Sequence, residues 1–372
     1  MTFSIPGKLL PWAALALAAV LSAVFCCEFI LAIEPSGPFL SPSIKTLLAL
    51  GALSAPQALS QGEWHRLLTA PFLHADILHL VLNLAALYFA GRLLEHKIGV
   101  WRFLTLFYAG ALVGGVASIA TNPPDMVAVG ASGGIMALLA AAFVISFRQP
   151  PGPQRRSTQW NLALILVPAL LPALPLWTSS ASVDVAAHAG GAFVGATLGL
   201  LLWRRWPEHS PIPRECKPAA LMTVLGTVAA LGAFVLVARN FDSYRLAVQV
   251  IPNDILPRTD QEADSQAEKL IRLYPRDPRA RMMMARVLIN RDDLAGAETL
   301  LRDGLADHDI LDSLFTRDTE WKLRAMLASV RLEQGDRAEA RRLTREICIK
   351  GGGHTLRLLL ITYGLCEQAP LQ

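Results

Sequence analysis

Charge is scarce in this sequence. Asp, Glu, Lys and Arg make up 17% of its 372 residues, whereas about 25% is usual in soluble domains, and the mean hydropathy is +0.40. The sequence also lacks a glycine-rich phosphate loop, a nucleotide-binding motif and a His or Cys cluster with metal-ligand spacing. An ordinary soluble domain is therefore excluded, and we predict neither a cofactor nor a metal site.

The apolar residues are concentrated in seven stretches that approach or exceed the roughly 18–20 residues of a membrane-spanning helix. They run at about 9–33, 76–94, 101–120, 127–147, 161–177, 183–203 and 219–238. The first is longer than the about 7–15 apolar residues of a secretion signal and lacks a small-x-small cleavage site, so we interpret it as a retained span. The sequence thus predicts an all-α, polytopic membrane protein.

Basic residues in the connecting loops predict the orientation. Those on one side are Lys8, Arg92, Lys97, Arg102, Arg148, Arg155, Arg156, Arg204, Arg205, Arg214 and Lys217. The other side, counted through the sixth stretch, has only Lys45 and Arg66. Because loops rich in Lys and Arg stay in the cytoplasm, we predict a cytoplasmic amino terminus and an extracytoplasmic carboxyl-terminal part. The bias favours a bacterial inner membrane, with an organellar membrane as the alternative. It also explains the net charge of +4 without a nucleic-acid partner.

Composition divides the chain into three parts. Residues 1–208 are predicted to form a six-span core, and 209–240 a loop with the seventh span. Residues 241–372 hold nearly equal numbers of basic and acidic residues, with helical patterning throughout, which is typical of a soluble helical domain.

Two segments of the carboxyl-terminal domain are similar to each other. The one that starts at Asp292 (Asp-Asp-Leu-Ala-Gly-Ala-Glu) matches the one that starts at Gly335 (Gly-Asp-Arg-Ala-Glu-Ala-Arg), and residues 273–278 indicate a junction between paired helices. The pattern resembles tetratricopeptide repeats, with an insertion expected around 307–318 because the period is near 34 residues. Such repeats form a concave surface, so we expect a peptide or protein partner. An irregular helical domain is the alternative.

Only five cysteines are present. Cys26 and Cys27 lie in the first apolar stretch, where cysteine behaves as a small apolar residue. Cys348 and Cys366 fall in the predicted extracytoplasmic domain, where an oxidising environment favours disulfides. They are candidates for a pair, but the sequence does not show whether they are close.

Two apolar stretches each contain a polar residue that lipid should exclude. Ser132 lies in Gly130-Ala131-Ser132-Gly133-Gly134, and His188 lies in Val185-Ala186-Ala187-His188-Ala189-Gly190-Gly191. Burying such a group without a partner costs several kcal/mol, so it is a functional-site hypothesis at membrane depth. Because histidine activates serine hydroxyls as nucleophiles, the pair suggests a protease that acts within the membrane.

Two further polar residues lie at a similar depth. His79 and Asn83 are about three and seven residues into the second stretch, and Ser132 and His188 each lie about five residues into theirs. At 1.5 Å per residue, these positions are roughly 5–11 Å below the outer boundary. His79 and Asn83 share a helix face because they are four residues apart. One polar pocket is therefore predicted. After His188, a stripe of small residues on the same helix face consists of Gly191, Gly195 and Gly199. Such a stripe lets a neighbouring helix approach closely.

These residues belong to three sequence motifs. Residues 130–133 read Gly-x-Ser-Gly, residues 187–195 read Ala-His-x-x-Gly-x-x-x-Gly, and residues 74–83 read His-x4-His-x3-Asn, beginning with His74. Together they resemble the rhomboid family of intramembrane serine proteases, over about residues 40–203.

Other positions extend this resemblance or depart from it. Trp64 and Arg66 resemble the family's Trp-Arg element in the first outer loop, and Glu95 matches a structural glutamate. Met136 stands where the family usually has an aromatic ring four residues after the nucleophile, and His65 replaces another frequent aromatic. A thioether still contacts an imidazole face, so the first departure predicts a looser hold on the His188 ring.

The resemblance implies a function and roles for the residues. Ser132 is the expected nucleophile and His188 the general base of a dyad without a third acid, while His79, Asn83 and the Ser132 N–H form the oxyanion hole. The supporting residues are Gly130, Gly133, His74, Gly191, Gly195, Trp64, Arg66, Glu95 and Met136. The expected substrate is a single-span membrane protein that is cleaved near the outer end of its span, where helix-breaking residues permit unwinding.

Several alternatives stay open. Asp184, four residues before His188, is either the acid of a triad or, as Asp favours, a helix N-cap. The chain is alternatively a non-catalytic rhomboid-like scaffold that recruits partners through its carboxyl-terminal repeats. A transporter would also place histidines in broken helices, but no repeated half is visible. The fifth stretch, interrupted by Pro168, Pro172 and Pro175, is the candidate moving element for substrate access.

Overall fold

The computed structural model of the chain describes residues 10–171, 183–207, 217–350 and 353–367. In these residues the regular secondary structure is helical, and the extended pairing is confined to two isolated bridges, Gly37–Ser41 and Leu53–Ala128. The predicted all-α class is confirmed. The chain forms two compact units, Met1–Phe241 and Asp242–Gln372.

The first unit is a bundle of mostly apolar helices. Its α-helices in the described residues are α1 (Trp12–Ile30), α2 (Ile44–Ala49), α3 (Arg66–Thr69), α4 (Ile77–Ile98), α5 (Val100–Thr121), α6 (Ser132–Ser146), α7 (Pro153–Leu170), α8 (Val185–Arg205) and α9 (Lys217–Arg239). Five of them, α1, α4, α5, α8 and α9, are long and apolar enough to cross a membrane. These correspond to the first, second, third, sixth and seventh predicted spans, so the chain is a multi-pass membrane protein.

The fourth predicted span begins later than its apolar sequence suggests. Residues 127–129 do not enter the helix, because Ala128 exchanges two backbone hydrogen bonds with Leu53 at 3.1 and 2.8 Å. Helix α6 therefore starts at Ser132 and has 15 residues, about 22 Å of helix against the roughly 30 Å hydrocarbon layer. Nearly every residue of α6 is buried, and its neighbours are α4, α5, α7 and α8.

The fifth predicted span also differs from the structure. Helix α7 begins at Pro153, in a polar segment, and is described as far as Leu170, with Pro168 inside it. Pro172 and Pro175 lie outside the described residues. The prediction that this region moves to admit substrate therefore stays a prediction.

Small residues bring α6 and α8 into backbone contact. A methyl group added at Gly191 would overlap the carbonyl oxygen of Gly133, and one added at Gly195 would overlap Ala137. One turn further along, Gly199 meets Ala141. The predicted small-residue stripe of α8 thus faces a neighbouring helix, which lets the two backbones approach closely.

Two buried charged residues join the surrounding elements. Both carboxylate oxygens of Glu95, on α4, accept hydrogen bonds of 3.0 Å from the N–H groups of Ala13 and Ala14, at the start of α1. These are donors that a helix N-terminus leaves without a partner. Arg66 is 2% exposed, and its guanidinium donates to the Glu63 carboxylate and to backbone carbonyls of the preceding segment. Trp64, by contrast, is half exposed.

The second unit consists of paired helices with their own apolar core. Starting with the helix at the boundary, they are α10 (Phe241–Ala247), α11 (Asp260–Leu273), α12 (Pro278–Asn290), α13 (Leu294–Ala306), α14 (His308–Leu314), α15 (Arg317–Glu333), α16 (Arg337–Lys350) and α17 (His354–Thr362). The predicted junction at 273–278 is confirmed, and the short α14 occupies the segment where an insertion was expected. Assignment to tetratricopeptide repeats stays a prediction.

Two further features mark the second unit. Cys348 and Cys366 form a disulfide, with their Cα atoms 5.5 Å apart. A cavity of about 260 Å³ between α11, α12 and α15 is lined in part by Met282, Met283 and Met326. Whether a peptide or protein binds this unit stays a prediction.

The contact between α6 and α8 leads to a prediction. Gly191→Ala forces the added methyl group against backbone, which has little freedom to move, so the unfolding free energy should fall by about 1–3 kcal/mol. The thermal unfolding midpoint in detergent micelles measures the change. Gly232→Ala on α9 is the matched control, because no atom of the described residues lies within 4 Å of a methyl group there. Equal midpoints for the two variants would contradict the close contact.

Candidate active site

Ser132 is the first residue of α6, and its side chain is half-buried. The chain turns into the helix at Gly130, whose φ of +117° is one that glycine adopts without strain. The Gly130 N–H donates to the carbonyl of Ala70 at 3.0 Å. Because the first N–H groups of a helix have no partner within it, the Ser132 N–H is available to a negatively charged atom.

His79 and Asn83 both face the turn that precedes Ser132. A methyl group at Gly130 would lie 2.8 Å from Nε2 of His79 and 3.6 Å from Nδ2 of Asn83, so only glycine leaves room here. Asn83 is 6% exposed, and its Nδ2 has no hydrogen-bond partner in the described structure. Buried donors are normally satisfied, so this unpaired amide next to a serine suits a developing oxyanion.

His188 is the fourth residue of α8, and a backbone carbonyl orients its ring. Nδ1 lies 2.9 Å from the carbonyl oxygen of Ala169. A carbonyl oxygen only accepts, so Nδ1 carries the proton in this bond and Nε2 is left as the basic nitrogen. The Ala169 carbonyl is free to accept because α7 ends one residue later. Sequence reasoning missed Ala169, since a backbone acceptor has no side-chain signature.

The glycine contact aligns the serine with the histidine. Ser132 precedes Gly133, and His188 lies almost one turn before Gly191, the residue that meets Gly133. The described structure contains no hydrogen bond between Ser132 and His188, and such bonds often tighten only when substrate binds.

Asp184 is the N-cap of α8. Its carboxylate accepts from the N–H of Ala187 at 2.9 Å, from Ser118 Oγ at 2.6 Å and from Asn122 Nδ2 at 2.8 Å. These bonds occupy both carboxylate oxygens and tie α8 to α5. The N-cap interpretation is therefore confirmed, and the geometry does not support a triad.

A second histidine, His74, lies buried beside His79. The His74 ring is fully buried and stands edge-on to the His79 ring, with the centroids 5.2 Å apart. Burial, and secondarily His79, lowers the pKa of His74 to about 3, so this imidazole is neutral at physiological pH. Met136 is buried one turn after Ser132 and brings no aromatic ring to the site.

Glu28, on α1, is a buried residue that sequence reasoning missed. One of its carboxylate oxygens accepts the backbone N–H of His74 at 3.0 Å. The available signal was an acidic residue inside the first apolar stretch.

Comparisons with known proteins cover the region that holds these residues. The family model described as "Rhomboid domain" matches residues 61–205. The chain is 31% identical over 164 residues to the Rhomboid protease GluP of Bacillus subtilis (strain 168), covering 43% of this chain and 31% of that protein. It is 30% identical over 144 residues to the Putative rhomboid protease YdcA of the same organism, covering 38% and 69%. It is 32% identical over 171 residues to the RHOMBOID-like protein 6, mitochondrial, of Arabidopsis thaliana, covering 44% and 52%.

These matches are partial. The chain aligns with about a third of GluP and half of the Arabidopsis protein. The family model ends before α9 and the second unit.

The unpaired amide of Asn83 leads to a prediction for Ser132. Removing one donor that stabilises a developing oxyanion costs about 10²–10³ in rate. Asn83→Ala should therefore slow labelling of Ser132 by a fluorophosphonate probe by a factor of that order. The measurement is the labelling rate, with the thermal midpoint checked for each variant. Ser54→Ala is the control, because Ser54 is also buried with an unpaired hydroxyl. An unchanged rate in folded Asn83→Ala would refute the donor role.

Proposed function

This chain belongs to the rhomboid family, and on that basis we propose that it is an intramembrane serine endopeptidase. The observation that carries the proposal is the convergence on one turn of the unpaired Asn83 amide, the His79 ring and the start of α6 at Ser132. His188, with its proton on Nδ1, supplies the base.

The proposed reaction is acyl transfer through a Ser–His dyad. Ser132 Oγ attacks the scissile carbonyl carbon while Nε2 of His188 takes the hydroxyl proton. The imidazolium then gives that proton to the leaving amine, and the peptide bond breaks to leave an ester on Ser132. Water, deprotonated by the same nitrogen, hydrolyses the ester and restores the serine. In this scheme the Ala169 carbonyl holds the tautomer that an aspartate holds in a triad.

The negative charge of each tetrahedral intermediate is placed where the donors converge. The substrate oxygen accepts from the Ser132 N–H, the Asn83 amide and the His79 ring. Donors held in advance, in a site that excludes bulk water, stabilise such an oxyanion by several kcal/mol.

The proposed substrate is a single-span membrane protein. A stable helix hides its carbonyls in internal hydrogen bonds, so the scissile segment must unwind before Ser132 reaches it. Cleavage is therefore proposed near helix-breaking or small residues, at the extracytoplasmic end of the span.

We further propose a bacterial inner-membrane location with a cytoplasmic amino terminus and an extracytoplasmic second unit. The basic loops support this orientation. The disulfide between Cys348 and Cys366 supports it independently, because disulfides persist in oxidising compartments.

A non-catalytic scaffold that binds membrane helices is the second candidate. Two observations favour it: Ser132 and His188 share no hydrogen bond in the described structure, and Met136 replaces the aromatic ring expected beside the histidine.

Cleavage of a single-span substrate with a helix-breaking outer segment tests the proposed function. Wild type in lipid vesicles should cut it, whereas Ser132→Ala and His188→Ala should each lower the rate at least about 10³-fold because the attacking pair is lost. Ser146→Ala, at the other end of α6, is the control for substitution in that helix. Binding without cleavage by wild type would favour the scaffold. Cleavage that survives in Ser132→Ala would refute the assignment.

The proposed orientation predicts the redox state of the cysteines in cells. In a variant with Cys26, Cys27 and Cys216 all changed to serine, Cys348 and Cys366 are the only cysteines left. A maleimide reagent applied to it under denaturing conditions should find no free thiol until a reductant is added. Reduction should also lower the unfolding free energy of the second unit by about 3 kcal/mol, as the lost loop constraint predicts. Free Cys348 and Cys366 in freshly trapped cells would place the second unit in a reducing compartment.

A further inference from the structure

Glu28 is a buried acidic residue that the proposed reaction does not use. It lies three residues from the end of α1, in an apolar helix, and its side chain is 0% exposed. An ionisable residue at this depth is costly and marks a function by default. In the described part of the chain no Lys or Arg forms an ion pair with it.

The contacts of Glu28 lead toward the oxyanion residues. Oε1 accepts the backbone N–H of His74, 46 residues along the chain, at 3.0 Å, while Oε2 has no partner. His74 belongs to the short segment that enters α4. Glu28 therefore ties α1 to the residues that set where α4 begins.

Because His74 contacts His79, the hydrogen bond between Glu28 and His74 also affects the position of the His79 ring. In the described residues, no side chain forms a hydrogen bond with either nitrogen of the buried His74 ring. The ring packs against the His79 ring at an angle of 65°. The backbone of His79 is held by Asp76, whose carboxylate accepts its N–H at 2.7 Å. With its backbone held, the His79 side chain can still rotate about its own bonds. The His74 ring, which stands edge-on to the His79 ring, limits that rotation and keeps the His79 ring beside Gly130.

A comparison with a second buried glutamate distinguishes this role from that of a residue that merely links two helices. Glu95 also joins α1 to α4, but it does so at the first turn of α1, at the opposite end of that helix from Glu28. The two residues offer the same chemistry in the same helix pair, and only Glu28 adjoins the oxyanion residues.

We propose that Glu28 is a positioning residue for the oxyanion hole: it holds His74 so that the His74 ring keeps the His79 ring directed at the turn before Ser132. This inference rests on the proposed proteolytic function. Small displacements of catalytic groups, of order 1 Å, cost about 10²-fold in rate. Loss of the acceptor should therefore lower kcat more than it alters KM.

The test compares Glu28→Leu, which removes the acceptor, with Glu28→Gln, which keeps an oxygen of similar position. In lipid vesicles, Glu28→Leu should lower kcat at least about tenfold with KM nearly unchanged, and Glu28→Gln should restore most of the rate. Glu95→Leu is the matched comparison: it should lower the thermal midpoint at least as much as Glu28→Leu does, but lower kcat of the folded protein far less. A normal kcat in Glu28→Leu, or equal losses in Glu28→Leu and Glu28→Gln, would overturn the proposal.

A second measurement does not depend on proteolysis. In a Ser132→Ala background, diethylpyrocarbonate modification of His79, quantified by mass spectrometry, reports how firmly that ring is held. Glu28→Leu should speed the modification several-fold, and Glu28→Gln and Glu95→Leu should not. An unchanged rate in Glu28→Leu overturns the positioning role even if no substrate is ever cut. Failure of wild type to cleave, with His79 protected as expected, would count against the protease alone.

Discussion

The backbone contact between α6 and α8 is the constraint on which the rest of the first unit depends. Gly133 and Gly191 meet with no side chain between them, and the contact continues at Gly195. Because α6 is short and surrounded by other helices, its polar first turn is enclosed by protein rather than lipid. A serine can therefore open a buried helix there, and a histidine on α8 can lie at the same level.

Around that contact, several elements supply and orient the polar groups of the candidate site. Helix α4 supplies two potential donors, His79 and Asn83, and the end of α7 supplies the acceptor for the His188 ring. A backbone carbonyl thus orients the His188 ring, while the nearby Asp184 caps α8 and joins it to α5. The chemistry is distributed over four helices. It depends on their packing more than on any local motif.

The buried charged side chains of this unit form hydrogen bonds with backbone groups and do not rely on ion pairs alone. Glu95 accepts the first N–H groups of α1 through both of its carboxylate oxygens. Arg66 donates to two backbone carbonyls as well as to Glu63. Charge-assisted hydrogen bonds of this kind are stronger than neutral ones, which suits a region where exposed backbone and charge are both costly.

Much of this protein could be read from its sequence, because a membrane span is a local property of length and hydropathy. Five spans match helices of the structure. The cost of polar groups in apolar stretches identifies Ser132, His79, Asn83 and His188 as candidate site residues, and their catalytic roles stay a prediction. The start of α6 was mispredicted because residues 127–129 are as apolar as the helix, and only pairing with the distant Leu53 holds Ala128 extended.

Tertiary structure alone decided the other features: the Ala169 carbonyl beside His188, the Glu28 link to His74, and the pairing of Cys348 with Cys366. Each joins residues that are well separated in sequence, one of them through a carbonyl that every residue has. Such contacts cannot be predicted from composition or residue spacing, because the contacts form only when the helices pack together.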